Sequence, residues 1–239
     1  MIDLSKQEIL LIVVGFGSVI LGGVISSATS WWVQSRNNRY LKDREDRIER
    51  NIEMSGAFKS LTKLLMILNG FGSLKAQIDK MFEGVEVSPG GFDEPWKIVR
   101  GFTGLYVDVQ DFDAEDIVFL IKSKDSSLSN DLFLLRNRYI ATVTSLVNYA
   151  ELHETFVSEL AESPSVTVVG TAVSVELTEE QMAKYGPMEA KLNNLIGQVI
   201  ESLEEDVEYA RRTTEKFSKV AKTYFGSDFP DVQFVANGD

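Results

Sequence analysis

The chain contains no cysteine, a single histidine and only five prolines. Without thiols there is no disulfide, no cysteine nucleophile and no thiolate-ligated zinc or iron–sulfur centre. One histidine, His153, cannot supply the several nitrogen ligands of an ordinary zinc site, and with no second histidine it opens no HExxH motif. The phosphate-cradling patterns G-x-x-x-x-G-K-[ST] and strand-G-x-G-x-x-G are also missing. No catalytic constellation remains except carboxylates, whose spatial pairing a sequence does not reveal. No catalytic, cofactor-binding or metal-binding residue is therefore assigned, no cofactor is expected, and a non-enzymatic protein is expected.

Basic charge is scarce too. The 24 Lys and Arg face 36 Asp and Glu, a net charge of −12. The deficit is uneven: residues 1–50 carry 7 basic and 6 acidic groups, and residues 51–239 carry 17 and 30. An acidic body opposes binding to a phosphate backbone, so no nucleic-acid partner is expected. The same charge keeps a domain soluble and holds it off an anionic lipid surface.

What the chain does have is an apolar run, Ile9–Ala28, inside a stretch without ionisable groups that lasts to Ser35. Twenty helical residues span about 30 Å at about 1.5 Å each, the thickness of a bilayer's hydrocarbon core. Trp31 and Trp32 follow at the place of a headgroup-level aromatic belt, and Arg36 and Arg39 lie within snorkelling reach of it. The run is too long for a signal-peptide core, its flank MIDLSKQE is not basic, and no A-x-A-like site follows. An uncleaved transmembrane helix over 9–33 is expected, with the lipid bilayer as a partner; a buried core helix is the competing reading. Six basic residues between Arg36 and Arg50 against Lys6 alone place the C-terminal side in the cytoplasm and residues 1–8 outside. Gly15, Ser18, Gly22, Ser26 and Thr29 share one face of this helix, a spacing that lets helices pack closely in lipid.

Residues 34–53 read as a charged stalk helix, with opposite charges four apart at Lys42/Asp46, Asp43/Arg47 and Asp46/Arg50. An acidic helical bundle is expected over 54–226. Its first seam is Met54, Phe58, Leu61, Leu65 and Leu68, which Gly70 and Gly72 interrupt and Leu74, Ile78 and Met81 resume before the helix ends near Phe82. Two heptads are short for a coiled coil, so the seam reads as one face of a bundle. The stretch 85–111, rich in Gly, Pro and aromatics, reads as a packed loop that bridges the bundle's end or carries function.

A helix from about Asp113 to Lys124 opens with Asp111, Asp113, Glu115 and Asp116. These fail the EF-hand pattern at Asp116 and Lys122 and read as helix capping. Ser127 or Ser129 caps a helix over about 130–161, striped by Leu132, Leu135, Tyr139, Val143, Leu146, Ala150, His153, Val157 and Leu160. His153, on that stripe, reads as a structural histidine at the edge of the core. The β-branched stretch 163–177 reads as a hairpin, an extended strand or a packed loop. Thr178 and Gln181 form a capping box for a short helix stopped by Gly186, and Pro187 starts a long helix ending before Gly226. Its acids Glu201, Glu204, Glu205, Asp206 and Glu208 read as a solvated face, and residues 227–239 as a flexible tail.

The expected architecture is mainly α: a single N-terminal transmembrane helix, a long stalk helix, and a cytoplasmic antiparallel bundle with at most a small β element near 165–177. The expected role is an assembly or scaffold/adaptor subunit, forming a homo-oligomer or joining a membrane complex. The alternative is a homo-oligomeric pore or channel subunit with the acidic domain on its cytoplasmic side.

Overall fold

A computed structural model describes residues 6–85, 94–102, 105, 109, 111–161, 166–169, 172–175 and 178–234; within α1, side chains are described at 23 and over 26–82. The protein is mainly helical. Helix α1 covers Lys6–Phe82, α2 Ala114–Lys122, α3 Ser126–Ala161 and α4 Glu179–Phe225; strands β1 (Val166–Val169) and β2 (Ala172–Val175) stand between α3 and α4. The chain forms two compact units, Met1–Ile52 and Glu53–Asp239, and α1 contributes to both.

In the first unit α1 is continuous through the charged residues 34–52, and every described side chain there except Ser35 is exposed. Among the described residues, no helix is long and apolar enough to cross a membrane. Most of the expected membrane segment 9–33 lies outside the described side chains.

In the second unit the residue pairs between helices give their directions. Arg138 meets Glu205, Asp131 meets Tyr209, and Glu159 meets Lys184, so α3 and α4 run antiparallel. Glu53 meets Tyr224 and Lys75 meets Glu204, so the 53–82 part of α1 is also antiparallel to α4. Hence α1 and α3 run parallel, and the chain must return along the bundle between them. Residues 94–112 do this as a strap. Trp96 packs on Phe156, Val99 accepts a hydrogen bond from Tyr149, Val109 accepts one from Arg136, and Phe112 packs on Phe133. Trp96, Val99, Val109 and Phe112 thus lie along α3, from Phe156 to Phe133, rather than at one end of the bundle.

The core is built from α1, α3 and α4, with α2 and the strap closing it. In α1 the most buried residues are Ala57, Leu61, Leu64, Ile67, Phe71, Leu74 and Ile78. Leu61, Leu74 and Ile78 belong to the expected seam, but over the first turns the face is rotated from it: Phe58 is 40% exposed, and Met54, Leu65 and Leu68 only border the core. The reason is α2, whose backbone lies against Gly56; a Cβ there would meet Glu115 O at 2.8 Å and Asp116 Cα at 2.9 Å. Small residues, not large apolar ones, mark the closest approach, and a hydrophobicity pattern does not register them.

Several local expectations meet the structure directly. The Thr178–Gln181 capping box forms, with Gln181 N donating to Thr178 Oγ1 at 3.3 Å and Thr178 N donating to Gln181 Oε1 at 3.0 Å. Gly226, at φ +83°, ends α4 in a conformation that a side chain disfavours. The stretch 163–177 contains the antiparallel hairpin, with Val166 opposite Val175 and Val169 opposite Ala172.

Other details differ. Gly186 and Pro187 do not separate two helices; α4 is continuous through them. Pro187 removes one backbone donor, but Tyr185, Leu192 and Ile196 are all buried on the bundle and hold both sides in one helix. The start of α3 is capped by Asp125, which accepts from Leu128 N and Ser127 Oγ, rather than by a serine. Residues 227–234, expected as part of a flexible tail, fold back: Phe229 is 1% exposed and stacks on Phe225 and Phe58. Ser218 Oγ donates to Pro230 O and accepts from Val232 N. Residues 235–239 lie outside the described residues.

Candidate functional site

Two regions gather the residues that could carry function: the exposed part of α1 beyond the apolar run, and the polar clusters of the bundle. On α1, Trp31 is 73% and Trp32 58% exposed, although both are large apolar surfaces that water disfavours. The Arg36 guanidinium lies 5.5 Å from the Trp32 ring centre, a cation–π pair one helical turn apart. Arg39 is exposed. Of the expected packing stripe, Ser26 and Thr29 are exposed, and the side chains of Gly15, Ser18 and Gly22 lie outside the described residues. The same exposed helix carries Val33, Tyr40, Leu41, Ile48 and Ile52, each at least 44% exposed.

The bundle's charged groups are engaged with one another. Lys63 reaches Asp116 Oδ2 at 2.8 Å and the Asp111 carbonyl at 2.6 Å, and Ser60 Oγ donates to the Asp116 carbonyl at 3.2 Å. Both Lys63 and Asp116 are buried, so this pair clamps the first turn of α2 onto α1. Asp116 is therefore more than an acid at a helix N-terminus, and Asp113, at the N-cap, makes no side-chain capping bond. At the other end of α2, Glu53 pairs with Lys122 and accepts from Tyr224 Oη at 3.0 Å.

The acids of α4 are not all solvated. Asp206 is buried, 3.2 Å from Arg138 Nε, although its Oδ1 has no donor in line. Burial raises its pKa, and the Arg138 charge opposes that. Its neighbours Glu201, Glu204 and Glu205 are exposed, as expected of a solvated face.

A further group of titratable side chains surrounds Trp96. Its indole N–H donates to Glu189 Oε1 at 3.1 Å, and its ring packs edge-on to Phe156 and 6.4 Å from His153. Tyr149 Oη donates to Val99 O at 2.6 Å, and burial pushes its phenol well above its usual range. His153 is half-buried beside Tyr149. Burial lowers its pKa, a hydrogen bond to the Trp96 backbone opposes this, and Arg100 lowers it further.

Glu94 and Glu189 are neighbours with opposite shifts. The Lys97 ammonium holds Glu94 low, whereas burial first and Glu94 second push Glu189 up. A split carboxyl pair can exchange a proton and is also the arrangement of many acid–base sites. Here Glu94 pairs with Lys97 within the strap, while Glu189 accepts from the Trp96 indole and Asn193 from the Trp96 backbone N–H, so the evident effect of Glu189 is to hold residues 94–97 on α4. Sequence reasoning missed this pair because the two glutamates are 95 positions apart; only the aromatic content of the strap hinted at packing. Among the described residues, no group of three or more His, Asp or Glu is placed to hold a metal ion.

Comparison with models of known families, with curated proteins and with solved structures finds no match to this chain.

Proposed function

We propose that the chain is a membrane-anchored helical assembly protein, in which a single N-terminal helix spans the bilayer and the acidic bundle recruits or arranges other proteins, or copies of itself, in the cytoplasm. The observation that carries this reading is the exposed stretch of α1 that follows the charge-free run. Trp31 and Trp32 stand uncovered immediately after it, with Arg36 stacked on Trp32 and Arg39 one further turn along. A helix that presents paired indoles and then arginines to its surroundings suits a headgroup region, where half-solvated rings and long cationic side chains are both stabilised. The bundle supports a binding role over catalysis, because its buried charges are committed to contacts between helices.

The test is co-flotation of the full chain with neutral phosphatidylcholine vesicles, followed by washing at high salt and at alkaline pH. Retention through both washes is the expected result, since an embedded apolar helix is held by neither charge nor peripheral contacts. Release into the wash would overturn the anchor.

A further inference from the structure

Beyond the apolar run, α1 carries a second feature that the membrane reading leaves unused. Val33, Tyr40, Leu41, Ile48 and Ile52 are all exposed, and at about 100° per residue they fall within an arc of roughly 120° on one side of the helix. The charges beside this arc are sorted by sign. Arg36 and Arg47 border one edge, with Asp43 beyond them; Glu45 and Glu49 border the other, with Lys42 beyond. Arg39 and Asp46 lie on the opposite side of the helix.

We propose that this face of the stalk, residues 33–52, is the site at which a second copy of the chain docks, with the two helices parallel and in register. The inference rests on the membrane-anchored reading, which gives every copy the same orientation and a high local concentration. The charge sorting selects the partner. When two such helices meet face to face in parallel, the basic edge of one lies against the acidic edge of the other, so that Arg47 of one copy approaches Glu45 of the next, as flanking charges do in coiled coils. An antiparallel pair would set like edges against each other. Asn37, Arg44 and Asn51 interrupt the apolar face, so the stalk associates weakly by itself and depends on the anchor.

The absence of cysteine makes the test clean. Val33→Cys, Leu41→Cys, Ile48→Cys and Ile52→Cys, with Arg39→Cys and Asp46→Cys as controls, are each made in the full chain, placed in phosphatidylcholine vesicles and oxidised. Cross-linked dimer several-fold above the controls at the four face positions is expected. Simultaneous success at Val33 and Ile52 identifies the parallel arrangement, because an antiparallel pair cannot bring both ends onto their own copies. Arg47→Glu should reduce cross-linking at Ile48→Cys, and adding Glu45→Arg should restore it. Equal cross-linking at face and control positions, or none, in chains that float with vesicles overturns the proposal and leaves the anchor standing. Chains that do not float overturn both.

Discussion

Gly56→Ala and Gly72→Ala make the same chemical change one surface apart in the same helix. Each replaces a helical glycine, which alone stabilises by about 0.5–1 kcal/mol through backbone entropy. At Gly72 a Cβ has nothing within 4 Å, so that gain should appear in full. At Gly56 the new carbon would sit 2.8 Å from Glu115 O and 2.9 Å from Asp116 Cα, and both are backbone. Neither can swing aside, so the first turn of α2 must move off α1. That motion stretches the 2.8 Å Lys63–Asp116 contact and the 3.2 Å Ser60–Asp116 bond. Overpacking of this kind costs about 1–3 kcal/mol, which outweighs the helical gain. Because the propensity term is common to both variants, their difference isolates the steric cost. Urea unfolding of the full chain followed by circular dichroism should show Gly72→Ala above wild type and Gly56→Ala below it, separated by about 1–3 kcal/mol. Thermal midpoints should separate accordingly, by about 2–4 °C per kcal/mol for a unit of this size. A Gly56→Ala protein as stable as Gly72→Ala would refute the close approach of α2 to α1.

Three further outcomes follow from the packing and the ionisation. Lys63→Met leaves buried Asp116 with only the exposed Lys59, 3.8 Å from its other oxygen, and should cost about 3–5 kcal/mol, whereas Lys63→Met with Asp116→Leu should recover most of that; a double-mutant cycle in urea measures it. Phe229→Ala empties the slot beside Phe58 and Phe225 and should cost about 3–5 kcal/mol. A change near zero in that unfolding experiment would mean the tail is not docked. His153 is the chain's one histidine, so its imidazole gives a single NMR titration, expected below the ordinary value of 6.5. Its folded pKa is depressed, so the stability it contributes is present above the unfolded pKa and lost as pH falls through the folded one. His153→Gln should therefore flatten the loss of stability on the acid side of pH 6.5, which thermal melts at stepped pH will read.

Much of this fold was legible along the chain because its signals are local. The capping box at Thr178 and Gln181 and the stop at Gly226 need only their own neighbours, and both form where the residues predict. The long stripe of α3 is likewise an intrinsic period: Leu132, Leu135, Tyr139, Val143 and Leu146 are buried as the spacing requires. The charge-free run with Trp31, Trp32, Arg36 and Arg39 beside it is also readable without any partner, which is why the proposed function rests on it. No candidate site in the bundle was legible, because Glu94 and Glu189 meet only after the strap has packed.

The sequence by itself determined that the protein is helical, that a capping box at Thr178 opens α4 and Gly226 ends it, and where its charge and apolar surface are concentrated, since these depend on side chains within one or two turns. Tertiary structure alone decided which face of α1 is buried, that Trp96, Val99, Val109 and Phe112 lie along α3, and that Asp116 and Asp206 lie inside. Each of those outcomes depends on what arrives from elsewhere in the chain. A glycine becomes a contact only when another backbone reaches it, and an acid becomes buried only when Lys63 or Arg138 is brought within about 3 Å to compensate its charge.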